Sequence, residues 1–85
     1  MKKDIFKVKV GDKVSIFNVR GEDPKRAWEV AQIGSTDCTS FMEYKKYMSR
    51  LSGEKYADED LSDAIVLLVD GKSENEALLK DLKLL

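Results

Sequence analysis

The 85-residue sequence contains no histidine, and this absence removes the side chain that enzymes most often use as a base near neutral pH. Without histidine there is no Ser-His or Cys-His pair to activate a nucleophile and no imidazole to bind a metal. The densest group of acidic residues lies between positions 58 and 63, and it does not follow the spacing of a calcium-binding loop. We therefore expect no enzymatic activity, no catalytic residue, no cofactor and no metal site.

Cysteine and proline each occur once, as Cys38 and Pro24. A single cysteine cannot form an internal disulfide or a cysteine-based zinc site, which is typical of proteins in a reducing compartment. No apolar run approaches ~18 residues, and the N-terminal lysines are not followed by an apolar segment. The sequence thus predicts a cytoplasmic protein with no secretory signal and no membrane contact.

Apolar residues make up 42% of the chain and charged residues 36%, a composition that can form a core. The length fits a single small globular domain, residues 1–85. Charge is unevenly distributed, because residues 1–26 carry a net charge of +4 and residues 57–85 a net charge of −5. This polarity bears on the choice of partner, unless the two ends simply attract each other within the fold.

Residues 5–20 predict an N-terminal antiparallel β-hairpin, because their apolar and polar positions alternate. An odd loop, Gly11–Lys13, sets Val10 opposite Val14 and collects the apolar side chains on one face. Ser15 is expected on the other face. The residues expected on the buried face are Phe6, Val8, Val10, Val14 and Ile16.

About four short helices are predicted to follow and to pack on the hairpin, so the expected fold class is α+β. The first covers residues 24–33, with Asp23 as the N-cap, although residues 27–33 could instead be a strand. The second begins with a capping box, Ser40 and Glu43, and ends at Gly53. Its inward stripe is expected to contain Phe41, Tyr44, Met48 and Leu51.

Residues 61–70 favour a third helix, because apolar residues recur there at helical spacing. The segment 65–69 is apolar on all sides, however, and could instead be a strand docked on the hairpin. A second capping box, Ser73 with Glu76, predicts the last helix. Its inward side chains are expected to be Leu78, Leu79, Leu82 and Leu85.

A small chain without a catalytic set of residues predicts a protein that acts by binding. We expect a non-enzymatic, protein-binding regulator or inhibitor of a larger protein or complex; accessory proteins of phages and mobile elements are one such group. Exposed aromatic residues are enriched at interfaces, although they can equally cover a thin core. The candidate interface residues are Trp28, Tyr47, Tyr56, Asp58, Glu59 and Asp60.

The alternative is a nucleic-acid-binding module that uses the hairpin and the first helix. Its candidate residues are Lys7, Lys9, Lys13, Arg20, Lys25 and Arg26. Trp28 and Phe17 could stack on bases, whereas solvated lysines on a ribbon are the ordinary explanation of the pattern. A net charge of −1 does not favour phosphate binding.

Overall fold

The computed structural model describes residues 4–85, and most of these residues belong to one antiparallel sheet or to its connections. Its strands are β1 (Lys13–Ile16), β2 (Trp28–Ile33), β3 (Ile65–Asp70), β4 (Ser73–Leu78) and β5 (Leu82–Leu84). The order across the sheet is β4-β3-β2-β1-β5, so the last strand returns to lie beside the first. An α-helix, α1 (Phe41–Ser52), connects β2 to β3, and short 3₁₀ helices span Ile5–Lys7, Asp58–Leu61 and Leu79–Asp81.

The predicted N-terminal hairpin is wrong. Its first half contains the 3₁₀ helix Ile5–Lys7, and the residues that follow run beside the start of α1. The Val10 N–H donates to the Thr39 carbonyl at 2.8 Å, and the Phe41 N–H donates to the Val8 carbonyl at 2.9 Å. The second half supplies β1, which pairs with β2 on one side and with β5 on the other. The segment 13–16 is a strand as expected, but its partners are β2 and β5 and not residues 5–10.

The burial expected for that hairpin is confirmed only in part. Val8, Val14 and Ile16 are buried, as the alternation predicts. Val10 is exposed, and Ser15, which was expected outside, is buried. Because β1 has a strand on each side, a small side chain on it is shielded more than it would be on a two-stranded ribbon.

The first predicted helix, residues 24–33, is also wrong, because this stretch contains β2. Asp23, expected to be the N-cap of that helix, instead accepts a hydrogen bond from the Lys25 N–H at 2.9 Å and closes a turn. Trp28, Val30 and Ile33 are buried, and a bulge after Val30 returns Ile33 to the core side. β2 lies at the centre of the sheet between β3 and β1, where β-branched and aromatic side chains pack well.

The third predicted helix is replaced by a 3₁₀ helix, Asp58–Leu61, and by β3. The strand alternative for residues 65–69 is therefore the correct one, and β3 docks on β2 rather than on an N-terminal hairpin. β3 and β4 form a hairpin with the two-residue turn Gly71-Lys72. Gly71 adopts a φ of +70°, which suits such a turn and is costly for other residues.

The last predicted helix is wrong as well. Ser73 and Glu76, expected to form a capping box, lie in β4. Leu78 ends β4, Leu79 lies in the 3₁₀ helix Leu79–Asp81, and Leu82 lies in β5. Of these leucines, Leu79 and Leu82 are buried in the core. Over residues 4–85 the fold is therefore mostly sheet with a single α-helix, and an α+β description fits it only loosely.

Among residues 4–85, the buried apolar side chains form one cluster, which joins the sheet to α1. The cluster contains the inward residues of all strands but β4, together with Phe41 and Tyr44 of the helix. Leu61 and Ala64 extend it beneath the segment that leads into β3. Between residues 4 and 85, no helix has both the length and the apolar character needed to cross a membrane.

Candidate protein-binding surface

Helix α1 is fixed at both ends by the signals that the sequence predicts. The Ser40 hydroxyl accepts a hydrogen bond from the Glu43 N–H at 3.1 Å, and Gly53 ends the helix with a φ of +74°. The Glu43 carboxylate accepts from the Thr39 hydroxyl at 3.0 Å instead of capping Ser40. The predicted second helix is thus confirmed.

The inner side of α1 is held by aromatic packing. The Phe41 ring lies 5.2 Å from the Phe6 ring and 6.3 Å from the Tyr44 ring, centroid to centroid, in tilted arrangements. Gly34 passes so close to Tyr44 that a Cβ at position 34 would overlap the phenol ring. These contacts place the Phe41 and Tyr44 side of α1 against the core, so the opposite side of the helix faces outward.

Burial also affects the chemistry of the inner side. It raises the pKa of the Tyr44 phenol, and the nearby Cys38 and Tyr56 raise it further. Tyr44 is therefore a neutral, packed side chain at physiological pH. Cys38 is a buried, free thiol.

The outward side of α1 presents two large apolar residues one turn apart. Leu51 is 69% exposed and Tyr47 is 42% exposed, and their spacing of four residues places them next to each other. Arg50 lies between them in sequence, and the three residues line a surface cavity of about 270 Å³. We call Tyr47, Arg50 and Leu51 the helix ridge. Tyr47 also borders a second cavity of about 350 Å³, formed with Glu43 and the 35–38 loop.

The sequence located only part of the helix ridge. Tyr47 was a predicted interface residue, but Leu51 was expected to point inward with Met48, and that expectation is wrong. Leu51 lies in the last turn of α1, beyond the last residue that reaches the core. The signal that could have identified it is its i, i+4 spacing from Tyr47, which lies off the buried stripe.

The other predicted interface residues are placed elsewhere. Tyr56 is half-buried against the core. Asp58 pairs with Lys45 (Nζ to Oδ1, 2.9 Å), and Asp60 accepts a hydrogen bond from the Ala57 N–H at 2.8 Å. Glu59 is exposed. Two of the three acids are thus engaged within the chain.

Trp28 lies in the core and is only 2% exposed. The Arg26 guanidinium stacks over its ring, 4.0 Å from the ring centroid, and donates to Asp70 with an Nε–Oδ2 distance of 2.8 Å. The indole Nε1 is buried and has no hydrogen-bond partner among the described residues. The structure therefore does not bring Trp28 together with the helix ridge.

The cations predicted for nucleic-acid binding are spread over several elements. Lys13 pairs with Glu29 at 3.4 Å and Arg26 with Asp70, so two of the six are engaged in ion pairs. The remaining four are exposed, in the N-terminal segment and in the loop between β1 and β2. They are Lys7, Lys9, Arg20 and Lys25.

No three acidic or thiol side chains among residues 4–85 are placed to hold a metal ion together. Comparisons of the chain with protein-family models, with curated proteins and with solved structures found no match.

Proposed function

We propose that this protein is a non-enzymatic binding protein that regulates or inhibits a larger protein or complex, and that it contacts that partner through the helix ridge. The observation that carries the proposal is the exposure of Leu51 and Tyr47 on adjacent turns of α1. Burying a leucine side chain is worth about 1.5–3 kcal/mol, so a partner that covers Leu51 gains a substantial part of its binding energy there.

The residue types of the ridge also support a protein partner. Tyrosine and arginine are, with tryptophan, enriched at energetic hot spots, where a few side chains carry most of the affinity. Arg50 forms no ion pair within residues 4–85, and its guanidinium is free to meet a carboxylate. We therefore expect the partner to offer an apolar pocket with an acidic group at its rim.

The size of the ridge sets a further requirement. Stable interfaces bury about 800 Å² on each partner, which exceeds what three side chains supply. The cavity formed by Tyr47, Glu43 and the 35–38 loop adjoins the ridge and can extend the contact. We also propose that the protein works in the cytoplasm. Its one cysteine, Cys38, is a free thiol, which is typical of proteins in a reducing compartment.

A pair of matched variants tests the proposal. Tyr47→Ser with Leu51→Ser removes the apolar part of the ridge, and Phe17→Ser with Val19→Ser removes an apolar pair of similar exposure, 51% and 39%, from the β1–β2 loop. Nuclease-treated extract of the source cells supplies the partner, which is then purified and titrated against each variant. We expect the ridge variant to lose at least roughly tenfold in affinity and the loop variant to bind as the unmodified protein does.

Two results would overturn the proposal. One is a ridge variant that binds the purified partner with unchanged affinity. The other is a partner that disappears on nuclease treatment and depends on Lys7, Lys9 and Arg20, with affinity falling steeply as salt is raised. That second pattern would establish the nucleic-acid alternative.

A further inference from the structure

Strand β4 lies at one end of the sheet, and no strand of residues 4–85 lies on its outer side. A free strand edge presents N–H and C=O groups that can pair with another extended chain. The hydrogen-bond pattern between β3 and β4 determines which backbone groups of β4 point to the free edge. The Leu79 N–H donates to the Ala64 carbonyl at 2.9 Å, so this opposed pair is a hydrogen-bonded one.

Hydrogen-bonded and non-hydrogen-bonded pairs alternate along an antiparallel ladder. Counting from Ala64 and Leu79, the pairs that contain Glu74, Glu76 and Leu78 are non-hydrogen-bonded, so the backbone groups of these residues point to the free edge. The Glu76 N–H donates to the Asn75 side-chain oxygen at 2.8 Å, so this outward-facing donor is already used within the chain. The carbonyls of Glu74, Glu76 and Leu78 remain directed outward.

The side chains of these three residues share one side of the sheet, because alternate residues of a strand point the same way. Neither glutamate forms an ion pair among residues 4–85. Leu78 lies opposite Ile65, which is 47% exposed, and both line a shallow cavity of about 250 Å³ with Glu76 and Ala77. The edge therefore has two acidic positions followed by an apolar one.

We propose that β4 binds an extended, basic segment of another protein, which adds to the sheet as a sixth, antiparallel strand. Cross-strand neighbours of opposite charge stabilise a sheet, and like charges destabilise it. Read from its N-terminus, the segment meets Leu78 first and Glu74 last, so its pattern is apolar-x-basic-x-basic. Symmetric pairing of β4 with the β4 of a second copy is disfavoured, because the register that aligns residues 74–78 in full places Glu76 opposite Glu76.

This inference concerns a surface other than the helix ridge and does not depend on the proposed function. The probe is a capped peptide containing Val-Thr-Lys-Thr-Lys, titrated against the whole protein and followed by backbone amide shifts. We expect the largest shifts at Glu74–Leu78. Exchanging the two lysines for glutamates should weaken binding by at least roughly tenfold.

Two further experiments separate the contributions of backbone hydrogen bonds and of charge to peptide binding. Methylating the backbone nitrogens of the valine and both lysines removes the donors that face β4 and should abolish binding. The variant Glu74→Lys with Glu76→Lys should lose at least roughly tenfold, whereas Glu54→Lys with Glu59→Lys, which makes the same change in net charge elsewhere, should bind normally. The ridge variant should also bind the peptide normally.

Several results would overturn the inference. They are absence of peptide binding at millimolar concentration, equal binding of the glutamate peptide, and binding that survives N-methylation. An equal loss in the two charge variants would also contradict it, because it would show general electrostatic attraction. The peptide arms use the unmodified protein, so they decide the matter even where a variant fails to fold.

Discussion

Gly34 shows most directly how one residue fixes the position of α1. It adopts a φ of +61°, and the space a Cβ would need is filled by the Tyr44 ring. We expect Gly34→Ala to destabilise the protein by roughly 2–4 kcal/mol, from left-handed strain together with overpacking. Gly53→Ala is the matched control, since its φ is +74° but its surroundings are open, and it should cost about 1 kcal/mol. Equal losses in urea unfolding would show that the close approach to Tyr44 is unimportant.

The raised pKa of Tyr44 predicts a loss of stability at alkaline pH. The unfolded chain releases the phenol proton near pH 10, whereas the folded state holds it to higher pH. The contribution of Tyr44 is therefore complete below pH 10 and is lost as the pH rises through the folded-state pKa. Between about pH 8 and pH 10.5, the urea concentration at the midpoint of unfolding should fall more for the unmodified protein than for Tyr44→Phe. An alkaline loss in Tyr44→Phe as large as that of the unmodified protein would contradict this explanation.

Helix α1 was predictable because the capping residues at its two ends act locally. The hydroxyl of Ser40 caps the helix within three residues, and no distant strand competes for the segment. Ser40→Ala should therefore cost about 1 kcal/mol of unfolding free energy. Ser49→Ala, inside the helix and away from its N-terminus, should be neutral or slightly stabilising, because alanine has the higher helix propensity. A cost at Ser49 equal to that at Ser40 would show that the cap is not the cause.

The strands were not predictable to the same degree, and the reason is their partners. Residues 28–33 and 65–70 combine helical spacing with β-branched content, and only pairing in the centre of the sheet decides between the two states. The capping pattern Ser73–Glu76 is similarly overridden, because β4 completes a ladder of six residue pairs with β3. Local patterns were reliable for burial at Val8, Val14 and Ile16 and unreliable for which strands pair.

At the scale of the whole molecule, part of the charge asymmetry of the sequence is used inside the fold. Arg26, from the basic first third, stacks on Trp28 and pairs with Asp70 of the acidic last third. We expect Arg26→Ala to lower the unfolding free energy by about 1 kcal/mol, because both contacts are partly exposed. Lys25→Ala, at the neighbouring exposed position, should change it little. A loss at Lys25 as large as at Arg26 would indicate general charge effects instead of these contacts.

The candidate surface was predictable only in its chemistry. Sequence reasoning pointed to exposed aromatic residues and found Tyr47, but the acids it favoured are partly engaged, with Asp58 on Lys45 and Asp60 on the Ala57 N–H. Whether Leu51 is exposed depends on where the core ends beneath α1, which is a property of the assembled molecule.

Photo-crosslinking in the source cells shows most directly whether the protein binds a partner through the helix ridge. Replacing Leu51 with p-benzoylphenylalanine places a reactive group on the helix ridge, and replacing Phe17 in the same way provides a control of comparable exposure. We expect one discrete protein adduct from position 51 that is lost when Tyr47→Ser is added, and none from position 17. No adduct from position 51, or the same adduct from both positions, would contradict binding through the helix ridge.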